Sequence, residues 1–205
     1  MSIVLQKYGI TLSRLTENDI ELVRYWRNHE SINQYMLFRD YITPEMQKAW
    51  FEQINTPFHY YMLITYNNEA IGVINVKNVN LEEGFGEGGI FIWAQAYWKG
   101  YVPTLASLLM LEFTFDIIPD FDFSVVRVLK SNIVATKYNK ALGYVPIPDQ
   151  NTDNLVYVLT RRKYKTKTTR LIRAAEKITG DAQPVRYFIT RSPLNLDIVN
   201  VLANC

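Results

Sequence analysis

Strand and helix patterns alternate in the second half of this chain, and this order constrains the fold more than any other feature. Residues 103–117 repeat apolar side chains with helical spacing, residues 123–129 form a β-branched apolar run, and residues 132–142 are again helical and end at Gly143. A helix between two strands of one sheet makes a crossover connection, which joins parallel strands. The sequence therefore predicts an α/β fold in which helices flank a sheet of mixed parallel and antiparallel strands.

The first half of the chain supplies two helices and several antiparallel strands. Thr16, followed by an acid three residues later, predicts a helix over residues 17–29, and Pro44 occupies the first position of a second helix. Asn67 and Asn68 join two apolar runs as a hairpin, because asparagine tolerates positive φ. The predicted strands cover residues 9–15, 58–66, 70–76, 86–93 and 155–160.

The composition describes a folded protein with little material for metal or covalent chemistry. Hydrophobic residues make up 48% of the 205 residues and charged residues 20%, which excludes a wholly disordered chain. Cys205 is the one cysteine, so we expect no disulfide framework and no thiolate metal cluster. Two histidines are too few for a histidine-rich metal site, and we predict no metal.

Charge divides the chain unequally. Residues 1–162 carry 14 basic and 17 acidic side chains, whereas residues 163–205 carry 8 basic and 3 acidic ones. We predict one domain over residues 1–162 and a basic C-terminal extension with an amphipathic helix, a strand over residues 185–190 and a helix over residues 194–203. The first part is too acidic for a general nucleic-acid binder, and the basic helix face either lies in water or meets an acidic partner.

The sequence gives no sign of a membrane protein. Its opening residues lack the basic and apolar regions of a secretory signal, and no apolar run approaches the ~20 residues of a membrane span. We therefore expect a cytoplasmic protein without a membrane partner. The segments beyond residue 160 either cover a groove or form a contact between two copies, which leaves a homodimer open.

The segment NIVATKYNKALGY, which begins at Asn132, resembles a signature of the GNAT superfamily of acetyl-CoA-dependent N-acetyltransferases, N-x-x-A-x-x-x-Y-x-x-L-G-F. The segment YWRN, from Tyr25, is similar to the N-terminal helices of the ribosomal-protein and amino-sugar acetyltransferase branches of that family. The segment EGGI, from Glu87, is similar to the E-x-G-Y segment on the fourth strand of the ribosomal-protein branch. The resemblance covers roughly residues 9–160. It implies the GNAT fold, in which the fourth and fifth strands splay apart and acetyl-CoA lies between them.

The resemblance implies a pyrophosphate site at the turn between the fourth strand and the following helix. Backbone N–H groups at a helix N-terminus bind such anions. Gly100 matches the first glycine of the family pattern, and Lys99, Thr104 and Ser107 are the candidates for replacement phosphate contacts. Tyr97 and Val102 stand where the family has an Arg or Gln and a second small residue.

Five other residues are implied as contacts of CoA or of its leaving thiolate. Asn132 is implied to hydrogen-bond the CoA arm, although the same residue also suits a helix N-cap. The backbone of Ile92 and Trp93 is implied to pair with the pantetheine amides like an added strand. The family's general acid is a tyrosine whose place falls on Asn139, and Tyr138 comes one residue early, a rotation of about 100° on a helix. We take Tyr138 as the candidate acid and Asn139 as a cofactor contact.

Glu87 is the candidate general base. Acetyl transfer needs a neutral amine and a route for its proton, and desolvation raises the pKa of a carboxylate near the centre of a sheet. The alternative is a strand-edge glutamate in solvent beside Glu82 and Glu83. Since no internal cysteine offers a nucleophile, the expected mechanism is direct attack in a ternary complex.

Three functions follow from the resemblance. The first is transfer of acetyl from acetyl-CoA to a primary amine of a small molecule or an amino sugar, including a nucleotide-sugar acceptor. The second is a catalytically degenerate GNAT-fold module that binds a ligand or partner without turnover, which the altered pyrophosphate turn and the missing tyrosine favour. The third is acetylation of a protein N-terminus, as in the ribosomal-protein branch. Docking on RNA through the basic extension is a separate alternative.

Overall fold

The computed structural model describes residues 2–148 and 152–190, which form one nine-stranded sheet with helices on both faces. The strands are β1 (Ser2–Lys7), β2 (Ile10–Arg14), β3 (Tyr60–Tyr66), β4 (Glu69–Asn80), β5 (Phe85–Ile92), β6 (Phe123–Leu129), β7 (Val145–Pro146), β8 (Asn154–Thr160) and β9 (Arg186–Thr190). The helices are α1 (Ile20–Asn28), α2 (Glu30–Asn33), α3 (Pro44–Ile54), α4 (Val102–Glu112), α5 (Ile133–Leu142), α6 (Arg161–Lys163) and α7 (Thr169–Thr179).

The strand order is β7-β8-β6-β5-β4-β3-β2-β1-β9, and the predicted mixed sheet is confirmed. β5 and β6 run parallel, joined by the α4 crossover, and the other paired strands run antiparallel. The two parallel strands pair only from Phe85 with Phe123 to Gly88 with Val126. Beyond this point each strand continues without the other as partner, so the two strands splay apart as the resemblance implied.

Side chains alternate between two hydrophobic cores, one on each face of the sheet. Ile74 and Val76 of β4 belong to the larger core, which α4 fills. Nine of the eleven residues of α4 are buried, which marks it as the central helix. Val73, the residue just before Ile74 on β4, points to the other face and belongs to the smaller core with Val23 of α1 and Ile32 of α2. The face with α4 and the face with α1 are therefore distinct surfaces of one sheet.

The first strand and the last described strand pair with each other. Residues 2–7 were not predicted to form a strand, yet β1 lies between β2 and β9 in the sheet. β9 confirms the predicted strand over residues 185–190 within one residue. The helix predicted over residues 194–203 lies outside the described residues.

Two helix boundaries differ from the sequence predictions, each for a local reason. α1 begins three residues later than predicted, at Ile20, because the Asp19 carboxylate accepts hydrogen bonds from the backbone N–H and the hydroxyl of Thr16 and holds a turn before the helix. α4 ends at Glu112, and a π-helical turn over Phe113–Ile117 completes the segment that was predicted as one helix.

The β3–β4 hairpin is confirmed, and β4 is longer than predicted. Asn67 and Asn68 have φ of 51° and 61°, the conformation that the turn requires. Asn78, near the irregularity in the pairing of β4 with β5, also has a positive φ, and its N–H donates to Nδ1 of His59 at 3.1 Å. This contact ties the start of β3 to the far end of β4.

The basic extension packs on the larger core through one face of its helical segment. Ala175 is buried and Leu171 is half-buried, as the predicted amphipathic pattern requires, whereas Ile178 is 62% exposed. Exposed basic side chains lie along the other face, namely Lys165, Lys167, Arg170 and Arg173. In residues 2–148 and 152–190 no helix has the length and apolar character needed to cross a membrane.

Candidate active site

A cavity of about 650 Å³ opens where β5 and β6 diverge. Its volume falls within the range of small-molecule sites, roughly 300–1,000 Å³. Ser107 and Tyr138 line it from the face with α4, and Arg27 and Tyr61 line it from the face with α1. The cavity therefore reaches both faces of the sheet through the gap between the two strands.

Glu87 lies on β5, on the face with α1, and is held between two cations. Its carboxylate is 3.2 Å from Nζ of Lys77 on β4 and 3.5 Å from Nε of Arg127 on β6. The side chain is 17% exposed, so it is not the solvated edge residue of the alternative interpretation. Both cations come from neighbouring strands of the sheet and attract the Glu87 carboxylate. The structure thus brings Glu87 into the cavity as part of a three-strand ion cluster.

Tyr138 and Asn139 on α5 both line the cavity, with their polar groups engaged differently. The Tyr138 hydroxyl donates to the carbonyl oxygen of Pro103 at 2.8 Å and lies 2.7 Å from Oγ of Ser107. Burial raises the pKa of Tyr138 above its ordinary value. The Asn139 amide donates back to the carbonyl oxygen of Ala135 at 2.9 Å. The one-residue offset therefore directs the tyrosine to the start of α4.

Asn132 is the N-cap of α5, as one of its two interpretations predicted. Its Oδ1 accepts a hydrogen bond from the N–H of Ala135 at 2.9 Å, and the residue also lines the cavity. Gly143 ends the same helix with φ of 109°, the left-handed conformation that favours glycine. These two local signals place α5 against the gap between β5 and β6.

The backbone of Ile92 and Trp93 is partly used within the chain. The N–H of Trp93 donates to the carbonyl oxygen of Ile71 at 2.9 Å, and the indole N–H of Trp98 donates to the carbonyl oxygen of Ile92 at 2.8 Å. Ile92 lines the cavity, whereas Trp93 is buried in the smaller core. An added strand can therefore use only the groups of this segment that face β6.

The turn before α4 lies at the surface. Lys99 and Gly100 are exposed and Thr104 is half-buried, and none of the three is among the described residues that line the cavity. Tyr101, the N-cap of α4, makes no side-chain hydrogen bond to the helix. No side chain at the N-cap therefore accepts hydrogen bonds from the first N–H groups of α4. Pro103, at the start of the helix, has no N–H.

Two hydroxyl groups at the base of the gap were not predicted from the sequence as site residues. Oγ of Ser124 on β6 lies 2.8 Å from the hydroxyl of Tyr144, and both residues line the cavity. Burial raises the pKa of Tyr144 to about 12. A Cβ on Gly88 would lie 3.5 Å and 3.7 Å from these two oxygens, so glycine leaves the space beside them open. The sequence did carry one signal for this pair, because Tyr144 stands at the last position of the signature, where the family has phenylalanine.

Arg27 is a second residue whose role the sequence left unassigned. It lies in the last turn of α1, lines the cavity, and stacks over the Phe91 ring at 6.0 Å from the ring centroid. Burial lowers the pKa of its guanidinium. Its place within the YWRN segment was visible, but the direction of the side chain depends on how α1 packs on the sheet.

In the described part of the chain no three His, Cys, Asp or Glu side chains come together as a metal site. Among the described residues, the polar groups that line the cavity are hydroxyls, amides, one carboxylate and three cations. Such a set can bind anions, orient an amine and move protons.

Comparisons with known sequences identify relatives of this architecture. A family model described as an acetyltransferase (GNAT) domain matches residues 10–145 of the chain. An uncharacterised protein of Methanocaldococcus jannaschii is 24% identical over 138 residues, which cover 66% of this chain and 28% of that protein. The chain thus spans less than a third of the length of this curated relative.

Solved structures share the fold at low identity. A domain from Methanocaldococcus jannaschii aligns with a TM-score of 0.63 and 21% identity, covering 78% of this chain and 99% of that one. A spermidine N-acetyltransferase from Vibrio cholerae, in complex with CoA and spermine, aligns with 0.67 and 18%, covering 77% and 99%. FdhC, described as a nucleotide-linked sugar GNAT, aligns with 0.69 and 21%, covering 83% and 97%. At these identities the likeness shows the fold alone.

Proposed function

The chain belongs to the GNAT acetyltransferase family, and from this premise we propose that it transfers acetyl from acetyl-CoA to a primary amine of a small molecule or an amino sugar. The observation that carries the proposal is the divergence of β5 and β6 beyond Gly88 and Val126, which opens one cavity to both faces of the sheet. One face can then admit the cofactor and the other the amine.

The residues around this divergence fit the arm of CoA. The edge of β5 that faces β6 lacks a strand partner over residues 89–92 within the described ranges, so an amide-bearing arm can lie along it like an added strand. Asn154 lines the cavity with an Oδ1 that is buried and has no hydrogen-bond partner in the described structure, which suits an N–H donor. When bound, acetyl-CoA supplies the acetyl group as an activated thioester.

The uncapped start of α4 suits the phosphates of the cofactor. Helix N-termini bind phosphate because their first N–H groups are unpaired and the helix dipole favours negative charge. We propose that Lys99, Gly100 and Thr104 contact the phosphates there, and that Asn132 and Asn139 contact the arm from α5.

Glu87 is the proposed acceptor of the amine proton. Lys77 and Arg127 hold its carboxylate on the face with α1, so the group is fixed in position on the amine side. A water molecule between the amine and the carboxylate can relay the proton. The amine nitrogen then attacks the acetyl carbon directly, the new N–C bond forms, and the C–S bond breaks.

Tyr138 is the proposed donor of a proton to the departing thiolate. Because burial raises its pKa, the hydroxyl keeps its proton at neutral pH. Its hydrogen must turn away from the Pro103 carbonyl to reach the thiolate. Tyr144, at the base of the gap, is the alternative donor.

A binding module without turnover is the second candidate function. Two observations favour it: Pro103 removes an N–H from the start of α4, and the Asn139 amide is engaged with the Ala135 carbonyl where the family has its acid. Such a module would keep the cofactor site and lack the chemistry.

Calorimetry with acetyl-CoA, followed by an assay of CoA release with a panel of amines, tests the proposal. We expect saturable binding and CoA release with at least one amine. No binding at millimolar acetyl-CoA would overturn the proposal, and binding without CoA release across the panel would assign the module instead.

Gly88→Val tests whether acetyl-CoA binds in the gap between β5 and β6. A Cβ at this position would lie 3.4 Å from Cγ1 of Val126, so the valine side chain would fill the gap between the strands. We expect this variant to lose acetyl-CoA binding, while a melting curve reports on its folding. Unchanged binding by a folded variant would place the cofactor elsewhere.

A further inference from the structure

The Arg27 guanidinium lines the cavity, and no carboxylate of the described part of the chain pairs with it. Within residues 2–148 and 152–190 no Asp or Glu forms an ion pair with it. Its Nε is buried with no hydrogen-bond partner, and its Nη2 reaches the carbonyl oxygen of Phe38 only at 3.5 Å. A buried, under-satisfied guanidinium is costly, so a ligand that accepts its N–H groups gains the hydrogen bonds that the chain leaves unmade.

The charges around the cavity leave positive charge in excess. In the described structure Glu87 is the one acid in the lining, against the three cations Arg27, Lys77 and Arg127. Glu87 is already paired with Lys77 and Arg127. No acid in this lining is left to pair with a cationic ligand. The net positive charge would therefore repel a polyamine and attract an anion.

Arginine and phosphate match in geometry as well as in charge. The planar guanidinium presents a rigid fork of donors that binds phosphate oxygens in pairs. Arg27 lies on the face with α1, which is the amine side of the proposed reaction, and the start of α4 lies on the other face. A phosphate at Arg27 therefore belongs to the acceptor and not to CoA.

Aromatic rings line the same part of the cavity. The rings of Trp50 and Tyr61 meet edge to face at 5.1 Å, and Phe91 lies beneath Arg27. Sugar and base rings pack well on such faces. A phosphate-binding group beside aromatic walls fits a ring that carries a phosphate ester.

We propose that the acceptor amine is an amino sugar that carries a phosphate ester, free or within a nucleoside diphosphate, and that Arg27 binds this phosphate. The inference rests on the proposed acetyl transfer and adds the substrate class and its specificity residue. Arg27 acts on selection of the acceptor, while Glu87 acts on its proton.

Selectivity kinetics and direct binding test this inference together. The probes are a hexosamine phosphate, a nucleoside-diphosphate-linked amino sugar, the unphosphorylated hexosamine and spermidine. Each is assayed for CoA release, and each is titrated without acetyl-CoA against the wild type and Arg27→Gln. Arg24→Gln is the matched control, because Arg24 lies one turn earlier on α1, contacts the carbonyl oxygen of Ile42 and pairs with Glu21 outside the cavity.

We expect phosphorylated acceptors to have higher kcat/KM than the unphosphorylated hexosamine and spermidine. Arg27→Gln should raise KM and weaken binding of the phosphorylated probes by about 10-fold to 100-fold, the effect of losing hydrogen bonds to a charged group, and leave the unphosphorylated hexosamine unchanged. Arg24→Gln should change neither. The two phosphorylated arms decide between a sugar phosphate and a nucleotide-linked sugar as the source of the phosphate.

Three results would overturn the inference. They are a higher kcat/KM for spermidine than for the phosphorylated acceptors, an equal loss of binding for phosphorylated and unphosphorylated acceptors in Arg27→Gln, and no binding of either phosphorylated probe at millimolar concentration. Arg27-dependent binding without CoA release for any amine would overturn the proposed reaction and leave the phosphate site standing. The binding arm thus separates failure of the site from failure of the chemistry.

Discussion

Lys7 on β1 and Glu112 on α4 form an ion pair that is almost closed to water. Lys7 Nζ lies 2.6 Å from Oε2 of Glu112, and the two side chains are 4% and 10% exposed. The hydroxyl of Tyr8 donates to the other carboxylate oxygen at 2.5 Å, and Glu176 of α7 approaches Lys7 at 3.3 Å. One buried network therefore joins the first strand, the central helix and the basic extension.

Removing the cation from this network should destabilise the protein strongly. We expect Lys7→Met to lower the free energy of unfolding by about 3–5 kcal/mol, because Glu112 would remain buried without its cation. Burial already raises the pKa of Glu112 even with Lys7 and Tyr8 beside it. Urea denaturation measures the change. Arg24→Met, which breaks the pair with the exposed Glu21, is the control, and an equal loss in both variants would contradict the prediction.

Replacing the proposed base should slow the chemical step. We expect Glu87→Gln to lower kcat by about 100-fold, within the roughly 10²–10⁴-fold that a general base contributes. Glutamine keeps an oxygen toward Lys77 and Arg127 and removes the proton acceptor. Measurement of kcat across pH compares the variant with Glu83→Gln, an exposed acid before β5. Wild-type kcat at every pH would remove Glu87 from the mechanism.

The two buried tyrosines should differ in their effect on turnover. We expect Tyr138→Phe to lower kcat by about 100-fold and to lower the free energy of unfolding by about 1 kcal/mol through the lost hydrogen bond to Pro103. Tyr144→Phe should leave kcat within a few-fold of wild type. Steady-state kinetics and urea denaturation of both variants check this. The reverse order of kcat values would move the acid role to Tyr144.

His59 should make stability depend on pH. Burial, together with Lys77 and Arg14, lowers the pKa of His59, and its Nδ1 accepts the N–H of Asn78. The unfolded state, with a pKa near 6.5, therefore binds the proton first as the pH falls. This contribution to stability is complete above about pH 6.5 and is lost as the pH falls toward the folded-state pKa.

Urea denaturation at about pH 7.5 and about pH 5.5 measures this loss. We expect His59→Gln to show a smaller difference between the two pH values than the wild type. His29→Gln replaces the other histidine of the chain and should keep the wild-type difference. The same difference in all three proteins would assign the pH dependence to other groups.

Most of the sheet and helix order could be predicted because it is set by local patterns. The Asn67-Asn68 turn, the Asn132 cap and the Gly143 stop each depend on neighbours within a few residues. β1 could not be assigned in this way, because its place between β2 and β9 depends on a strand at the other end of the chain. Its buried Lys7 also breaks the apolar alternation that marks a strand.

Individual residues of the candidate site could be predicted from the sequence, but the charged groups beside them could not. Glu87 could be selected as a carboxylate on a central strand, but the cations beside it come from β4 and β6 and meet it only in the folded sheet. Arg27 lies in a recognised segment, yet its lack of an ion pair with any acid of the described residues is a property of packing. Sequence spacing gives positions along an element, whereas electrostatic partners are chosen across elements.

The pairing of β9 with β1 bears on how this chain can be shortened. Ser2 opposes Thr190 and Gln6 opposes Arg186, so the extension covers one side of β1 along most of its length. A chain cut at residue 162 would leave that side as an open row of amide groups, the template on which strands of separate molecules join. We therefore expect a chain that ends at residue 162 to self-associate through the unpaired edge of β1.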